Sequence, residues 1–341
     1  MEPYRYRARQ HARQYGSIVE GKLLSGLVGH NICLDYFGPP SEAEARHGLS
    51  EHGEAPSAKW RKQRIVLKHK EVALTLSVQL PISGLSFSRT ISVRHGECIA
   101  YFREVVQNER RADHYFHWAQ HVTFGLPFLT PGDARVAIPG TKGITDPHGY
   151  GEEKALLAPA QFFHWPKAPS INGRTIDLSR PFPRKGRGFV AGVLLDRRTR
   201  IGFIAAVNHK LRMLVCYCFN RNDFPWVAIW EENLALSAAP WRSRTRARGL
   251  EFSTTPLPIL RSESFSMGKL FGQATMTWVP ARSTRVVHYL AFITPIPNGF
   301  GNVSQVRVND RALVIHSDTR AEPLVINASA ALDSLRTEHS E

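Results

Sequence analysis

Residues 115–124 read Tyr115-Phe116-His117-Trp118-Ala119-Gln120-His121-Val122-Thr123-Phe124 and predict a β-strand, because aromatic and β-branched residues fill most of the stretch. Side chains of a strand alternate between its two faces, so His117 and His121 are expected to share one face. At roughly 3.3 Å per residue the two lie about 13 Å apart, too far for one metal ion. Two imidazoles on one face indicate a functional site, and the alternative is a pair of hydrogen-bonded sheet histidines.

The rest of the chain predicts an all-β fold. Between Glu71 and Leu80 apolar and polar residues alternate, which is typical of a half-buried strand. Further strands are predicted at 86–94, 99–107, 188–195, 201–208, 212–219, 226–231, 249–254, 274–279, 285–293, 304–309, 312–316 and 323–327. The segment 125–175 is rich in glycine and proline and is predicted to be a long irregular excursion, and Ser41–Arg46 a short helix. Helical periodicity is otherwise nearly absent, so we expect two sheets packed face to face.

The length and composition favour one large domain. We place a basic arm at residues 1–16, a single β-domain at 17–330 and a polar tail at 331–341, because no linker divides the chain. Hydrophobic residues make up 43% and charged residues 21%, as in soluble globular proteins. The amino terminus has no apolar signal segment and no apolar run reaches the length of a membrane span. We therefore predict a cytoplasmic protein without a membrane partner.

The chain is strongly basic, with 44 lysines and arginines against 29 acidic residues and a formal charge of +15. Its basic residues fall in separate clusters at the amino terminus, 59–70, 184–200 and 242–248. Each cluster is placed at a turn or a strand edge, where charge prevents pairing with other chains. We expect no nucleic-acid partner, although a nucleic-acid-associated protein remains an alternative that the charge suggests.

The four cysteines show no metal-binding spacing. Cys216 and Cys218 share a strand face at an awkward distance for a disulfide, so they are expected to be packed thiols.

Two candidate site residues precede the histidine strand. Asn31 ends the glycine-rich segment 16–31, which is expected to form a loop beside a ligand. His52 and Gly53 lie in a turn with two carboxylates, outside regular structure. A histidine in such a turn suits a hydroxyl ligand, and the alternative is a turn held by local hydrogen bonds.

Candidate residues also follow the histidine strand. Segment 223–233 places Trp226 and Trp230 beside Glu232. Aromatic rings next to carboxylates suit a sugar, although an aromatic core strand ending in an acidic turn has the same pattern. Farther on, Glu251 shares a strand face with Gly249, where desolvation would raise the pKa of the carboxyl toward that of a general base.

Taken in order, these segments resemble the aldose 1-epimerase (galactose mutarotase) superfamily. The turn at His52 is similar to the family's sugar-contacting histidine-glycine motif. The strand at His121 resembles the one that carries the general-acid histidine, and 248–253 resembles the one that carries the general-base glutamate. The likeness runs from about residue 20 to about residue 293. It implies a galactose mutarotase-like β-supersandwich of mostly antiparallel strands with few short helices.

The resemblance further implies an isomerase that interconverts the anomers of a monosaccharide without a cofactor or a metal. Glu251 would take the proton from the C1 hydroxyl while His121 protonates the ring oxygen and opens the hemiacetal. Substrate-binding roles are predicted for His52, Asn31, His117, Trp118, Trp226, Trp230 and Glu232.

Two alternatives stay within this fold. One is a non-catalytic carbohydrate-binding or accessory module, since a fold does not determine a function. The other is an epimerase of hexose 6-phosphates, with Arg61, Arg89 or Arg248 facing the phosphate. An exposed sheet edge would be covered either by residues 4–15 of the same chain or by the partner subunit of a homodimer.

Overall fold

The computed structural model describes Leu23 and residues 29–151, 154–238 and 241–335. The predicted basic arm at 1–16 and the end of the predicted tail, 336–341, lie outside the described residues. Helices in the described ranges are α1 (Glu42–Arg46), α2 (Arg261–Met267) and α3 (Ala331–Ser334). No helix of these ranges is both long enough and apolar enough to cross a membrane. The helix predicted at Ser41–Arg46 is confirmed as α1, which a capping box stabilises.

Strands dominate the described residues. In chain order they are β1 (His30–Cys33), β2 (Arg61–Lys68), β3 (Glu71–Leu80), β4 (Leu85–Arg94), β5 (Ile99–Asn108), β6 (His114–Phe116), β7 (Ala119–Gly125), β8 (Ala134–Ala137), β9 (Gly140–Thr145), β10 (Phe162–His164), β11 (Lys167–Pro169), β12 (Thr175–Asp177), β13 (Arg187–Leu195), β14 (Ile201–Asn208), β15 (Met213–Asn220), β16 (Trp226–Asn233), β17 (Arg246–Ser253), β18 (Lys269–Leu270), β19 (Gln273–Ala274), β20 (Thr277–Val279), β21 (Thr284–Pro295), β22 (Val303–Val308), β23 (Ala312–Ser317) and β24 (Leu324–Asn327).

Two large sheets form the body of the molecule. The nine-stranded sheet has the order β1-β7-β17-β16-β13-β9-β10-β11-β12, and the eight-stranded sheet has the order β2-β3-β4-β5-β21-β15-β14-β8. Their apolar faces meet in one core, which includes Val122 and Phe252 from the first sheet and Phe87 and Val106 from the second. The prediction of two mostly antiparallel sheets packed face to face is confirmed.

The basic cluster at 59–70 lies largely on β2, which is an edge strand of the eight-stranded sheet, as predicted. Seven of the eight β2 residues are exposed, including Lys62 and Lys68. Charged side chains along an edge oppose pairing with another chain.

The segment 125–175 is more regular than predicted. It supplies β8 to the eight-stranded sheet and β9 to β12 to the end of the nine-stranded sheet. Two of its glycines, Gly140 and Gly143, lie in β9 and allow close packing, whereas those at 132, 149, 151 and 173 lie outside the strands with positive φ. A β-carbon on Gly143 would lie 2.3 Å from the ring of Phe163, and one on Gly140 would lie 2.7 Å from the side chain of Val193. The glycine content that predicted a loop therefore serves sheet packing in β9 and left-handed backbone in the connections between the strands.

The predicted single strand at 115–124 is wrong, because the chain forms two strands there. β6 pairs with β20 in a small separate sheet, whereas β7 pairs with β1 and β17 in the nine-stranded sheet. His117 and Trp118 lie between the two strands, and the backbone of Trp118 bonds with Thr254 in both directions. His117 and His121 therefore do not project from one face of one strand.

A buried polar network connects the sheets behind β7. Arg89 Nε donates to Glu104 Oε1 at 2.6 Å, and Gln120 Nε2 donates to Glu104 Oε2 at 2.6 Å. Tyr289 and Trp118 also donate to the Glu104 carboxylate, at 2.8 and 3.2 Å. Because this many partners satisfy it, the carboxylate tolerates burial. The network holds Gln120 toward the core, so the next residue of β7 faces the opposite side.

A third layer covers the outer face of the eight-stranded sheet. β22, β23 and β24 form a small sheet, and with α3 they bury a second apolar cluster that includes Leu313, Ile315 and Leu335. The folded chain thus extends to at least Leu335, beyond the boundary predicted at 330. Cys216 and Cys218 lie in this cluster as free thiols with their sulfurs 3.8 Å apart, as predicted.

Candidate active site

The candidate site is centred on His121 and Glu251. The register of β7 and β17 places the two residues directly opposite each other, so their side chains leave the same face of the sheet. His121 Nε2 lies 3.1 Å from Glu251 Oε1, and the side chains are only 4% and 3% exposed. The two atoms are at ion-pair distance but not aligned for a hydrogen bond, which leaves Oε1 with free acceptor capacity. A buried acid-base pair of this kind can exchange protons with a ligand.

His52 lies beside this pair, with its ring centroid 5.2 Å from that of His121. His52 Nδ1 lies 2.6 Å from the carbonyl oxygen of Phe37. A carbonyl oxygen only accepts, so Nδ1 is the donor, and in the neutral ring Nε2 is left as an acceptor. His121 is held as well, since its Nδ1 lies 3.0 Å from Thr123 Oγ1.

The turn that carries His52 has an unusual backbone. His52 has φ of 67° and Gly53 has φ of 79°, both in the left-handed region that disfavours most side chains. A β-carbon on Gly53 would lie 2.3 Å from the carbonyl oxygen of Leu34, so glycine allows the turn to pack against the chain after β1. This packing brings His52 to the sheet face of His121.

Asn31 lies on the other side of His121. β1 is the edge strand next to β7, and its register places Asn31 opposite His121. Its side-chain oxygen accepts the backbone N–H of Ile32 at 2.9 Å. The amide nitrogen of Asn31 is a donor on the same face as the acid-base pair.

Trp230 lies on β16 with its ring centroid 6.0 Å from His121 and 5.6 Å from Trp241. Its indole Nε1 donates to Tyr150 Oη at 3.0 Å, and that hydroxyl donates to Glu232 Oε2 at 2.7 Å. The other Glu232 oxygen accepts the backbone N–H of Ala235 at 2.6 Å. Trp230 therefore lines the candidate site, while the buried Glu232 carboxylate holds a turn and Tyr150.

Burial moves the pKa values of the pair in opposite directions. It raises the pKa of the Glu251 carboxyl well above its ordinary value, and the negative charge of Glu51 adds to this shift. It lowers the pKa of His121 well below its ordinary value, and the neighbouring His52 adds to that shift. Strongly shifted partners in contact are typical of functional sites.

Three predicted substrate-binding residues are not brought to the pair. His117 is fully buried, accepts the backbone N–H of Phe37 at 3.3 Å and contacts Ser264 Oγ at 2.9 Å. Trp118 packs in the core between the sheets. Trp226 shares the face of Glu251, but it is fully buried and donates to the carbonyl of Ala274 at 2.9 Å.

The three arginines predicted to face a phosphate also lie elsewhere. Arg89 belongs to the buried network between the sheets, and Arg61 is exposed on β2. Arg248 projects from the opposite face of β17, where its Nη1 lies 3.2 Å from Glu231 Oε2. There it lines a small open cleft, separated from the acid-base pair by the sheet.

Sequence reasoning missed four residues of the site. Thr123 was within reach, because it lies two residues from His121 on the same strand face. Glu51 adjoins His52 in the sequence, but nothing in the pattern showed that its charge acts on Glu251. Tyr150 and Trp241 lie in loops with no periodic signal. No three histidine, cysteine or acidic side chains among the described residues are grouped as a metal site.

Comparisons with known proteins agree with this architecture. No family model and no curated protein matches the chain. A candidate aldose 1-epimerase from Klebsiella pneumoniae matches with TM-score 0.56 and 15% identity, over 77% of this chain and 62% of that one. A galactose mutarotase-like protein from Clostridium acetobutylicum matches with TM-score 0.55 and 12% identity, over 80% of each chain. A candidate aldose 1-epimerase from Escherichia coli matches with TM-score 0.55 and 11% identity, over 81% of this chain and 86% of that one.

These matches show that the chain has a galactose mutarotase-like fold, as the sequence resemblance predicted. This chain spans about 62% of the length of the Klebsiella protein. At 11 to 15% identity the likeness concerns the fold, so the function rests on the site itself.

Proposed function

We propose that this protein is an aldose 1-epimerase-like isomerase that interconverts the anomers of a monosaccharide. The supporting observation is the 3.1 Å contact between His121 Nε2 and Glu251 Oε1 on a buried sheet face. His52 and Trp230 flank that contact. An acid, a base, a hydroxyl acceptor and an aromatic ring are the groups that such a reaction uses.

The geometry suits a hemiacetal, because the ring oxygen and the C1 hydroxyl oxygen are bound to the same carbon. An adjacent acid and base can therefore reach both oxygens at once. Glu251 takes the proton of the C1 hydroxyl while His121 donates a proton to the ring oxygen, and the bond between C1 and the ring oxygen breaks. Rotation about the C1–C2 bond presents the other carbonyl face, and the reverse proton transfers close the ring. His52 Nε2 accepts a sugar hydroxyl, and the Trp230 ring stacks on the sugar.

The pair needs one proton for this cycle. The raised pKa of Glu251 and the lowered pKa of His121 both favour the neutral forms of the two groups in the buried site. Once a bound sugar aligns the two atoms, which lie 3.1 Å apart, proton transfer between them gives the carboxylate and imidazolium that the ring-opening step uses. A bound sugar favours this form, because its hydroxyls solvate both charges.

Access to the pair requires motion, since both side chains are almost fully buried. Trp230 and Trp241 are partly exposed rings that pack on each other beside His121. We infer that a sugar enters by displacing these rings, in the way that mobile covers gate other enclosed sites.

The direct test is exchange of glucose and galactose anomers, followed by polarimetry and by NMR exchange spectroscopy. Glu251→Gln and His121→Asn are each expected to lower the rate about 10² to 10⁴-fold, the usual worth of one positioned acid or base. The exposed carboxyl variant Glu322→Gln is the matched control and should leave the rate unchanged. A wild-type rate equal to that of buffer alone would exclude the isomerase.

A second candidate is a carbohydrate-binding module without activity. It is supported by the burial of the pair, because a sugar bound at the surface would not reach these two side chains. Sugar binding without any exchange dependent on Glu251 would identify it. Comparing glucose with glucose 6-phosphate tests the phosphorylated alternative. A cytoplasmic location, a possible homodimer and the absence of a nucleic-acid partner stay predictions.

A further inference from the structure

The Glu251 side chain folds back along its own strand and lies over Gly249. A β-carbon on Gly249 would lie 1.9 Å from Glu251 Oε1, 2.9 Å from Cδ and 3.2 Å from Cγ. These three atoms are the nearest neighbours of that position, and all belong to Glu251. No side chain larger than hydrogen at position 249 is compatible with this placement of the carboxyl.

The backbone of Gly249 gives no other reason for a glycine. Gly249 lies inside β17 and pairs with Thr123 on one side and Trp230 on the other. Its φ is not in the left-handed region that other residues avoid. Glycine within a strand destabilises it relative to a residue with a side chain, so its presence here calls for a packing reason. The Glu251 carboxyl is that reason.

The neighbours of Gly249 shape the space that the carboxyl occupies. Thr123 contacts His121 Nδ1, and the ring of Trp230 lies near His121 on the other side. The missing side chain of Gly249 thus leaves a recess between the side chains of Thr123 and Trp230, directly beside the acid-base pair. The recess sets both the direction of the carboxyl and the proximity of Oε1 to His121 Nε2.

We propose that Gly249 is a positioning residue for Glu251, holding the candidate general base against its acid partner. The catalytic consequence rests on the proposed function, whereas the effect on the placement of Glu251 does not. An added methyl group forces the carboxyl into another rotamer, away from Nε2. Misplacement of a reacting group by about 1 Å can cost a rate factor of about 10².

Gly249→Ala is the direct test. Gly125→Ala is the matched control, because a β-carbon on Gly125, at the end of β7, would meet nothing closer than 3.8 Å. For anomer exchange we expect Gly249→Ala to lower kcat about 10 to 100-fold with little change in KM, and Gly125→Ala to leave both unchanged. Equal kcat values for Gly249→Ala and wild type would overturn the proposal.

A second readout is independent of any activity. The carboxyl ¹³C resonance of Glu251, assigned by its loss in Glu251→Gln, is titrated in wild type and in both alanine variants. Gly249→Ala is expected to move the chemical shift and the titration midpoint of Glu251, and Gly125→Ala to move neither. The proposal stands on that result even if the wild type shows no anomer exchange. Unchanged Glu251 titration in Gly249→Ala would overturn it.

A stability cycle covers the case in which Gly249→Ala folds poorly. Glu251→Ala removes the atoms with which the new methyl group collides. Gly249→Ala is therefore expected to lower Tm in the wild-type background and to lower it far less in the Glu251→Ala background. An equal loss of Tm in both backgrounds would show that Gly249 serves the strand and not the carboxyl.

Discussion

The placement of the Glu251 side chain lowers the stability of the folded protein. Its carboxyl is buried, one of its oxygens makes no aligned hydrogen bond, and the charge of Glu51 opposes its ionisation. Burying a carboxyl group without full compensation is costly, and ionising it there is costlier, so such groups are retained mainly where they carry out chemistry. The buried Glu104 offers a contrast, because four hydrogen-bond donors surround its carboxylate.

Glu251→Gln should therefore stabilise the protein, and more so at high pH. The folded-state pKa of Glu251 is raised above the unfolded value, so the stability gained from its protonation is present below the unfolded pKa. That stability is lost as the pH rises toward the folded pKa. We expect the Tm of Glu251→Gln to exceed that of wild type by a wider margin at pH 8 than at pH 5, measured by circular dichroism. Glu322→Gln is the exposed control, and a margin independent of pH would contradict the prediction.

Among the elements, the break between β6 and β7 shows where local pattern stops being informative. The alternation of Gln120, His121, Val122 and Thr123 is observed in β7 as the sequence predicted. The two residues before β7 also look strand-like, but the N–H of Trp118 donates to the side chain of Thr254 and its carbonyl accepts the N–H of Thr254, far away in the chain. A periodic pattern does not contain such non-local partners, so it predicted one strand instead of two.

His117 stabilises the connection between β6 and β7. This buried imidazole accepts the N–H of Phe37, so its other nitrogen carries the proton and donates to Ser264 Oγ, and burial lowers its pKa to about 3. His117→Ala leaves the Phe37 N–H without its acceptor, removes one of the two hydrogen bonds of Ser264 Oγ and opens a cavity, with an expected loss of about 2–5 kcal/mol of unfolding free energy. Urea denaturation checks this value, with His95→Ala in an exposed turn as the control. A loss below about 0.5 kcal/mol for His117→Ala would exclude the structural role.

For the molecule as a whole, the fold class and the pair of His121 and Glu251 could be predicted from the sequence. Which face of each strand packs against the other sheet could not. His121 and Glu251 were predicted from strand segments whose order resembles a known family, and the register of β7 and β17 places them together. Trp118 and Arg248 were assigned to a ligand, yet both face the space between the sheets. Which face of a strand meets the other sheet depends on pairing between distant segments, and a single strand does not record it.

The third layer was also only partly foreseen. Strands at 304–309, 312–316 and 323–327 were predicted, but they form a separate small sheet against the outer face of the eight-stranded sheet. That outer face carries fully buried apolar residues, including Leu214 and Leu290. Without the third layer these side chains would face water. The layer is therefore expected to unfold together with the sandwich rather than separately.

Leu313→Ala tests this cooperativity. Leu313 is fully buried in the cluster between the layers, so its truncation should cost about 2–5 kcal/mol, whereas Val325→Ala on the exposed side of β24 should stay within about 0.5 kcal/mol. All seven tryptophans precede residue 280, so their fluorescence reports on the sandwich and not on β22 to β24. In urea denaturation of Leu313→Ala, the fluorescence midpoint should fall together with the far-ultraviolet circular dichroism midpoint. An unchanged fluorescence midpoint with an earlier dichroism transition would show that the third layer unfolds independently and that residues 303–335 form a unit of their own.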